Sequence, residues 1–170
     1  NLEIKEIDDG YEINLCRSGK TLTLSRKAKD GSIQIPIKNA VCFSPTYKAF
    51  ISQLGEHETI SGISGVGYLC DSVLQAKAKD GKIAEIGYDK QLDMEKIISL
   101  NPDVVFAYGV DNESVAGFDK LEKIGIHTIM VDDYLESVPL GRTEWIKFFA
   151  CFYDNLPEAT EYFDSVENRY

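Results

Sequence analysis

From Ala40 onwards, short apolar segments alternate with helical ones, and this alternation constrains the fold more than any other feature of the sequence. Five segments have the length and composition of buried strands, at residues 40–43, 59–63, 82–86, 103–107 and 127–131. Strands that alternate with helices predict a parallel sheet covered on both sides. The sequence therefore predicts an α/β fold: a short, mostly parallel sheet with helices on both faces.

Helix signals stand between the predicted strands. Ser44-Pro45-Thr46 can cap a helix over residues 47–54, which ends at Gly55. Asp93 can cap another helix that ends at Asn101-Pro102, because the residue before proline disfavours the helical conformation. Further helices are predicted over 113–124 and 140–153. The second of these is apolar on more than one face, so we expect it to be buried on two sides.

The first 37 residues have a different pattern. Short stretches of alternating apolar and polar residues are separated by the turn pairs Asp9-Gly10 and Asp30-Gly31. This predicts an antiparallel β-hairpin region ahead of the α/β fold. We accordingly divide the chain into a β-hairpin extension (1–37), an α/β lobe (38–154) and the start of a further helix (155–170), which Pro157 opens.

Composition and isolated residues exclude several functions. The formal net charge of −10 argues against nucleic-acid binding and, more weakly, against an anionic membrane surface. No apolar run approaches the roughly 20 residues of a membrane span, and Asn1 does not begin a signal segment. The four cysteines form no CxxC pair and the two histidines stand apart, so no metal site is predicted. Cys42 and Cys151 lie in apolar segments, as buried cysteines do.

The loops after the predicted strands form the candidate ligand site, because ligands of such sheets bind at the carboxyl ends of the strands. These loops are 44–46, 64–68, 87–89, 108–111 and 132–136, and four of them contain a tyrosine, which offers a broad apolar face and one polar tip. Arg142 could pair with a ligand carboxylate or hydroxamate, or cap a neighbouring acid. The candidate ligand-binding residues are Ser44, Thr46, Ser64, Gly65, Val66, Tyr68, Tyr88, Tyr108, Gly109, Tyr134 and Arg142.

Catalytic and nucleotide-binding motifs are weak or missing. Ser64-Gly65-Val66-Gly67 is similar to a phosphate-binding loop but lacks both GxGxxG and GxxxxGK[ST]. No histidine is placed in the sequence to activate Ser44 as a nucleophile. The pair Asp132-Asp133 could bind a cation, act as acid and base, or end a strand. We therefore predict no catalytic residue, no metal and no cofactor, and expect a protein that is not an enzyme.

Several segments resemble one family in the same order along the chain. Residues 92–106, which read LDMEKIISLNPDVVF, are similar to the N-x-E-x-[IL]-x-x-L-x-P-D-[LV]-[VI] segment of periplasmic binding proteins for ferric siderophores, haem and cobalamin. Residues 40–46 resemble the first strand and its exit in that family, 54–64 its "LG…IVGVS" segment, and 120–126 its "L-x-x-x-G-I" step. The stretch 139–146 is similar to versions found in Bacteroides-type iron-compound binding proteins.

The resemblance implies a two-lobed, extracytoplasmic solute-binding component of an ABC importer. Such a protein captures a ferric siderophore, haem or a corrinoid between its lobes and delivers it to the permease subunits. Residues 155–170 resemble the start of the rigid helix between the lobes, so we expect the second lobe to be absent here. The resemblance also implies a periplasmic or cell-envelope location and a lipid anchor upstream of this chain. Glu95 matches the glutamate that pairs with permease arginines, although a first-turn glutamate also favours the helix dipole.

Two other functions stay open at this point. A doubly wound sheet alone fixes no function, so the chain could be a flavodoxin-like or nitrogenase-component-like enzyme or cofactor-binding domain. Such a protein would bind a nucleotide or metal and carry a competent acid–base pair. The chain could also be an interaction lobe that has lost ligand binding.

Overall fold

The computed structural model describes residues 2–88, 91–109 and 112–170. They pack as two compact units, of which one comprises Lys38–Val131 and the other comprises the residues up to Ile37 together with Asp132–Tyr170. The second unit thus combines the N-terminal sheet with the last helices of the chain. Whether residues 155–170 begin a helix that connects two lobes of a larger protein stays a prediction.

The unit Lys38–Val131 is built on a five-stranded sheet. Its strands are β5 (Ala40–Cys42), β6 (Ile60–Ile63), β7 (Ala84–Glu85), β10 (Val104–Ala107) and β11 (Thr128–Met130). Their order is β11-β10-β5-β6-β7, and every neighbouring pair is parallel. All four residues of β10 are buried, as expected for a strand that is covered on both faces. The predicted α/β fold with a mostly parallel sheet is confirmed.

Within its described residues, this unit has four α-helices: α1 (Pro45–Gln53), α2 (Ser72–Lys79), α3 (Met94–Leu100) and α4 (Asn112–Lys123). One core cluster combines side chains of the central strands with side chains of the helices. It contains Val41 of β5, Phe43 directly after β5, and Val105 and Ala107 of β10. Phe43 meets Phe118 of α4 edge to face, with ring centroids 5.0 Å apart. Ile97 of α3 is fully buried in the same cluster, whereas the neighbouring Ile98 is 45% exposed.

A polar network closes the amino edge of the sheet. The Asp103 carboxylate accepts hydrogen bonds from the backbone N–H groups of Lys38 (2.7 Å) and Asn39 (2.9 Å). The Asn39 amide donates to the carbonyl of Leu100 at 2.7 Å, and Ser61 donates its hydroxyl proton to the Asn39 side-chain oxygen. Asp103 thus holds the residues that lead into β5, which gives the "P-D" pair of the sequence a structural role.

The other unit contains a four-stranded sheet and the last two helices. Strands β1 (Leu2–Ile7), β2 (Gly10–Leu15) and β3 (Lys20–Ser25) pair antiparallel, as predicted, whereas β4 (Ile33–Gln34) pairs parallel with β3. Helix α5 (Pro139–Phe152) contacts β1, β2 and α6 (Leu156–Glu167). Seven residues of α5 are buried, which confirms the burial expected from its aromatic composition.

The structure differs from the sequence-based prediction in two further places. Helix α2 was not predicted, although Asp71 accepts hydrogen bonds from the N–H groups of Val73 and Leu74 and so caps its first turn. The segment after β7 is not an open exit loop. Strands β8 (Gly87–Tyr88) and β9 (Gln91–Leu92) pair antiparallel there, and the chain returns to the sheet where Asp93 donates its N–H to the Ile86 carbonyl.

Candidate functional site

Strand exits at the carboxyl edge of the five-stranded sheet place most of the predicted ligand-binding residues in one region of the unit Lys38–Val131. Parallel strands end at the same edge, so Ser44 and Thr46 after β5, Ser64–Tyr68 after β6, and Tyr108 and Gly109 after β10 share it. Tyr134 and Arg142 belong to the other unit. Whether these residues bind a ligand stays a prediction.

The exit after β5 is held by the start of α1. Ser44 is the N-cap of that helix, and its hydroxyl oxygen accepts a hydrogen bond from the N–H of Thr46 at 3.2 Å, as the sequence predicts. The next residue, Tyr47, is fully buried and donates its hydroxyl proton toward the carbonyls of Val131 (3.1 Å) and Ala107 (3.3 Å). Sequence reasoning missed Tyr47, which anchors α1 to the ends of β10 and β11.

The glycine-containing loop after β6 is closed by the chain's own carboxylate. Gly65 adopts a left-handed conformation (φ 73°), which glycine tolerates without strain. The Glu85 carboxylate accepts from the N–H groups of Gly65 (3.0 Å) and Val66 (2.6 Å). These are the backbone donors that a phosphate-binding loop would direct at a phosphate. Two backbone donors of the loop are therefore already occupied, and the loop also lacks the phosphate-binding motifs.

A short 3-10 helix (Val66–Tyr68) brings Tyr68 to the surface. Its side chain is 73% exposed, so it offers a broad aromatic surface at the sheet edge. Ser64, by contrast, is buried, and its N–H donates to the Cys42 carbonyl at 3.1 Å. Of the residues predicted in this loop, Tyr68 is therefore the one that the fold presents most openly.

The remaining exits contribute less surface. Tyr108 and Gly109 are half-buried, and Tyr108 packs against the core cluster that contains Phe43 and Phe118. Tyr88 lies in β8, and its side chain is outside the described part of the structure. The predicted exit loops at 87–89 and 108–111 also include Asp89, Val110 and Asp111, which lie outside the described residues.

A small cavity lies beside α1 and α2 in the same unit. It has a volume of about 150 Å³. The side chain of Lys48, which is only 3% exposed, reaches it from α1. The Lys48 Nζ is buried and has no hydrogen-bond partner among the described residues. Burial lowers the pKa of Lys48 from its ordinary value of 10.5, because an ammonium loses hydration there. The lining residues are Pro45, Lys48, Ala49, Tyr68, Leu69, Cys70, Asp71 and Leu74.

The fifth predicted exit lies in the other unit and carries two acids. Asp133 is buried, and burial raises the pKa of its carboxyl group to about 6. Burial also raises the pKa of half-buried Asp132. Arg142 donates from Nε to the Glu136 carbonyl (3.1 Å) and from Nη2 toward the Tyr134 carbonyl (3.4 Å). Arg142 therefore supports the backbone of this exit, and its predicted role toward a ligand is untested.

Glu95 is exposed in the first turn of α3, one turn before the exposed Ile98. The helix is capped by Asp93, whose carboxylate accepts from the N–H of Lys96 at 2.9 Å, and ends at Asn101 in a left-handed conformation (φ 46°). The cap is thus supplied by Asp93, and Glu95 makes a surface charge available on the outside of the unit.

The described ranges 2–88, 91–109 and 112–170 also bear on metal binding and membrane insertion. Within them, no group of three or more His, Cys, Asp or Glu side chains is arranged to hold a metal ion. Nor does any helix in those ranges combine the length and the apolar composition that a bilayer crossing requires. Cys42 and Cys151 are buried, as predicted, and all four thiols are free.

Known structures share this fold. The petrobactin-binding protein of Bacillus subtilis superposes with a TM-score of 0.63 over 99% of this chain and 50% of its own, at 17% identity. A possible iron-binding (periplasmic solute-binding) protein of Staphylococcus epidermidis superposes with a TM-score of 0.61 over 78% of this chain and 48% of its own, at 20% identity. At these identities the likeness concerns the fold.

Sequence comparison identifies the family. An uncharacterized lipoprotein of Methanocaldococcus jannaschii is 32% identical over 80% of this chain and 34% of the relative. The chain thus spans about a third of that relative and about half of the similar structures. The profile of the periplasmic binding protein family matches residues 41–170. The chain therefore belongs to the periplasmic binding protein family.

Proposed function

We propose that this chain is one lobe of an extracytoplasmic receptor that binds a metal chelate and delivers it to an ABC importer. The ligand would be a ferric siderophore, haem or a corrinoid, bound between this lobe and a second one. The observation that carries the proposal is the carboxyl edge of the five-stranded sheet. This edge presents the side chain of Tyr68, which is 73% exposed. Tyr68 lies on a loop in which the Glu85 carboxylate already accepts hydrogen bonds from the N–H groups of Gly65 and Val66.

The chemistry of this edge suits binding better than catalysis. An exposed aromatic ring can pack on a rigid organic ligand and hydrogen-bond through its hydroxyl group. The N–H groups of Gly65 and Val66 already donate to the Glu85 carboxylate, which argues against the alternative of a nucleotide-binding enzyme. The similar structures include proteins described as petrobactin-binding and possibly iron-binding, and this supports a metal chelate as the ligand class.

Glu95 would serve the partner side of this function. It is an exposed charge on α3 that the capping of the helix does not use. Charged surface residues of this kind steer and orient docking more than they add affinity. We propose that Glu95 pairs with a basic residue of the permease. The lipoprotein relative supports a location at the cell envelope with a lipid anchor.

The test is a titration of the full-length receptor that contains this chain and the proposed second lobe. Fluorescence of Trp145 and the tyrosines is recorded during addition of haem, cobalamin and several ferric siderophores, with ATP and NAD as comparison ligands. Saturable binding of one chelate without turnover is expected. Tight nucleotide binding with no response to any chelate would sink the receptor proposal.

A further inference from the structure

Lys48 is a basic residue that the fold buries, with 3% of its surface exposed. Its Nζ is buried without a hydrogen bond among the described residues, and its side chain lines the cavity of about 150 Å³ beside α1. A buried ammonium without a partner is costly, because neither water nor an opposite charge replaces the lost hydration. Such a group persists most readily where a ligand supplies the missing partner.

Two acids of the unit, one that acts on Lys48 electrostatically and one that lines the cavity, hold backbone groups. Glu85, which interacts electrostatically with Lys48, accepts hydrogen bonds from Gly65 and Val66. Asp71 lines the cavity, but its Oδ1 accepts from the N–H groups of Val73 (2.8 Å) and Leu74 (3.1 Å). Both carboxylates stabilise local backbone, so neither forms an ion pair with Lys48.

The shape and lining of the cavity indicate what kind of group would fit. One water molecule needs roughly 10–15 Å³ of such cavity volume, so the cavity of about 150 Å³ has room for several non-hydrogen atoms. Ala49, Leu69 and Leu74 give it apolar walls, and the exposed Tyr68 and Cys70 lie at its surface side. An apolar wall with one cation at depth matches a carboxylate on a short hydrocarbon chain better than a fully hydrated anion such as phosphate.

We propose that this cavity binds an aliphatic carboxylate and that the Lys48 ammonium is the group that binds it. The carboxylate would complete the hydrogen bonds of the ammonium, and its hydrocarbon chain would contact the apolar walls. The carboxylate can be free in solution or belong to the chelate. Its assignment to the chelate rests on the proposed receptor function.

The pocket itself is tested on the chain with propionate as the probe. Binding is followed by calorimetry and by the ¹³Cε resonance of Lys48, with neutral propionamide and inorganic phosphate as comparison compounds. We expect saturable propionate binding and a rise in the Lys48 pKa when the carboxylate binds. Lys48→Met removes the charge but keeps an apolar side chain of similar length, so the fold should persist. It should weaken propionate binding roughly 10- to 100-fold, which corresponds to the loss of a charged hydrogen bond.

Two further variants make the result specific. Lys79→Met removes an exposed lysine on α2 that does not line this cavity, and it should leave propionate affinity unchanged. Ala49→Leu keeps Lys48 but adds bulk to the wall, and it should weaken binding. Three results would each overturn the proposal that Lys48 binds a carboxylate in this cavity. They are equal propionate affinity of wild type and Lys48→Met, binding of propionamide as tight as that of propionate, and the absence of saturable propionate binding.

Chelate binding by the full-length receptor separates this inference from the receptor proposal. If Lys48→Met binds the chelate as tightly as wild type, the assignment of the carboxylate to the chelate is wrong, while the receptor function stands. If no chelate binds to either protein but propionate binds to the chain through Lys48, the receptor proposal is wrong. The proposal that the cavity binds a carboxylate then still holds for a carboxylate that is free in solution.

Discussion

Single side chains at the amino edge of the five-stranded sheet hold its strands in register. Asp103 accepts two backbone hydrogen bonds from residues 38 and 39 at 2.7 and 2.9 Å, although it is itself exposed. These bonds fix the path of the chain into β5, the central strand of the sheet. The resemblance of residues 92–106 to the family segment therefore includes a residue whose role in this chain is structural.

Replacement of Asp103 by alanine should destabilise the unit Lys38–Val131. Two backbone N–H groups would lose a charged acceptor, and solvent would compensate part of the loss, so we expect a decrease of about 1–2 kcal/mol in the free energy of unfolding. Urea denaturation followed by circular dichroism measures it. The control is Asp119→Asn, which changes an exposed acid on α4 and should be neutral. A free energy of unfolding equal to that of wild type would show that the hydrogen bonds to Asp103 do not stabilise the unit.

A second ionic group ties together parts of the other unit. Arg26 donates to both carboxylate oxygens of Asp154, at 2.7 and 2.8 Å, and the buried Tyr11 donates its hydroxyl proton to the same carboxylate at 3.0 Å. The hydrogen bond from Arg26 lowers the pKa of Asp154 below its ordinary value of 3.8. Burial, with help from Asp154, raises the pKa of Tyr11 to about 12.

The pH dependence of stability tests this group. A carboxyl group whose pKa is lower in the folded chain stabilises the fold above its unfolded pKa, and this stabilisation is lost as pH falls through the folded value. Arg26→Met should therefore lower the unfolding midpoint at pH 7 and have a smaller effect at pH 2. Thermal unfolding of wild type, Arg26→Met and the exposed control Arg169→Met between pH 2 and pH 7 measures it. An effect of Arg26→Met that is equal at both pH values would contradict the ion pair.

At the scale of elements, the sequence predicts what depends on local signals. The strands β5, β6, β10 and β11 stand out as short apolar runs, and the caps Ser44 and Asp93 are readable because a cap and its helix are adjacent in sequence. The position of the strand exits at the carboxyl edge follows from the same strand signals, whereas their role as a ligand site stays a prediction. The mixed pairing of the N-terminal sheet could not, because β4 joins β3 in parallel without a tight turn.

Long-range contacts account for what the sequence did not reveal. Glu85 occupies the N–H groups of Gly65 and Val66 across 20 residues of sequence, and no local pattern indicates this pairing. Lys48 resembles any polar residue of an amphipathic helix, and no local pattern indicates that the fold buries it to 3% exposure. The positions of the strand exits within residues 2–88 and 91–109 were thus predictable from the sequence. The hydrogen bonds and the burial of polar groups near these exits were not.

The closure of the loop after β6 has a direct test. Glu85→Gln replaces two carboxylate oxygens by one amide oxygen, so one of the two N–H groups should lose its acceptor. We expect faster hydrogen exchange at the Gly65 and Val66 amides and a loss of about 1 kcal/mol in the free energy of unfolding. Amide exchange measured by NMR reports both sites. Glu161→Gln, an exposed change on α6, is the control, and unchanged exchange in Glu85→Gln would refute the closure.

At the scale of the whole molecule, the chain belongs to the periplasmic binding protein family, and the receptor proposal assigns different faces to ligand and permease. The ligand would contact the carboxyl edge of the sheet, where Tyr68 lies. The permease would contact the surface of α3, where Glu95 lies. These two interactions should therefore respond to different substitutions.

Glu95→Ala in the full-length receptor should keep chelate affinity within about twofold of wild type, because a rim charge acts mainly on docking. Chelate uptake by cells that carry the cognate importer should fall. Uptake is measured with radiolabelled chelate, and chelate affinity is measured by fluorescence on the same variant. The control is Glu122→Ala, a change at an exposed position on α4. Normal uptake by Glu95→Ala would remove the docking role.

The most direct measurement of the central claim is amide hydrogen exchange of the full-length receptor with and without a bound chelate. The account predicts protection of residues 44–46, 64–68 and 108–109 when the chelate binds, with no change in α3. Protection confined to other segments, or no protection at these three exits despite saturating chelate, would contradict the claim that this edge of the sheet is one wall of the binding site.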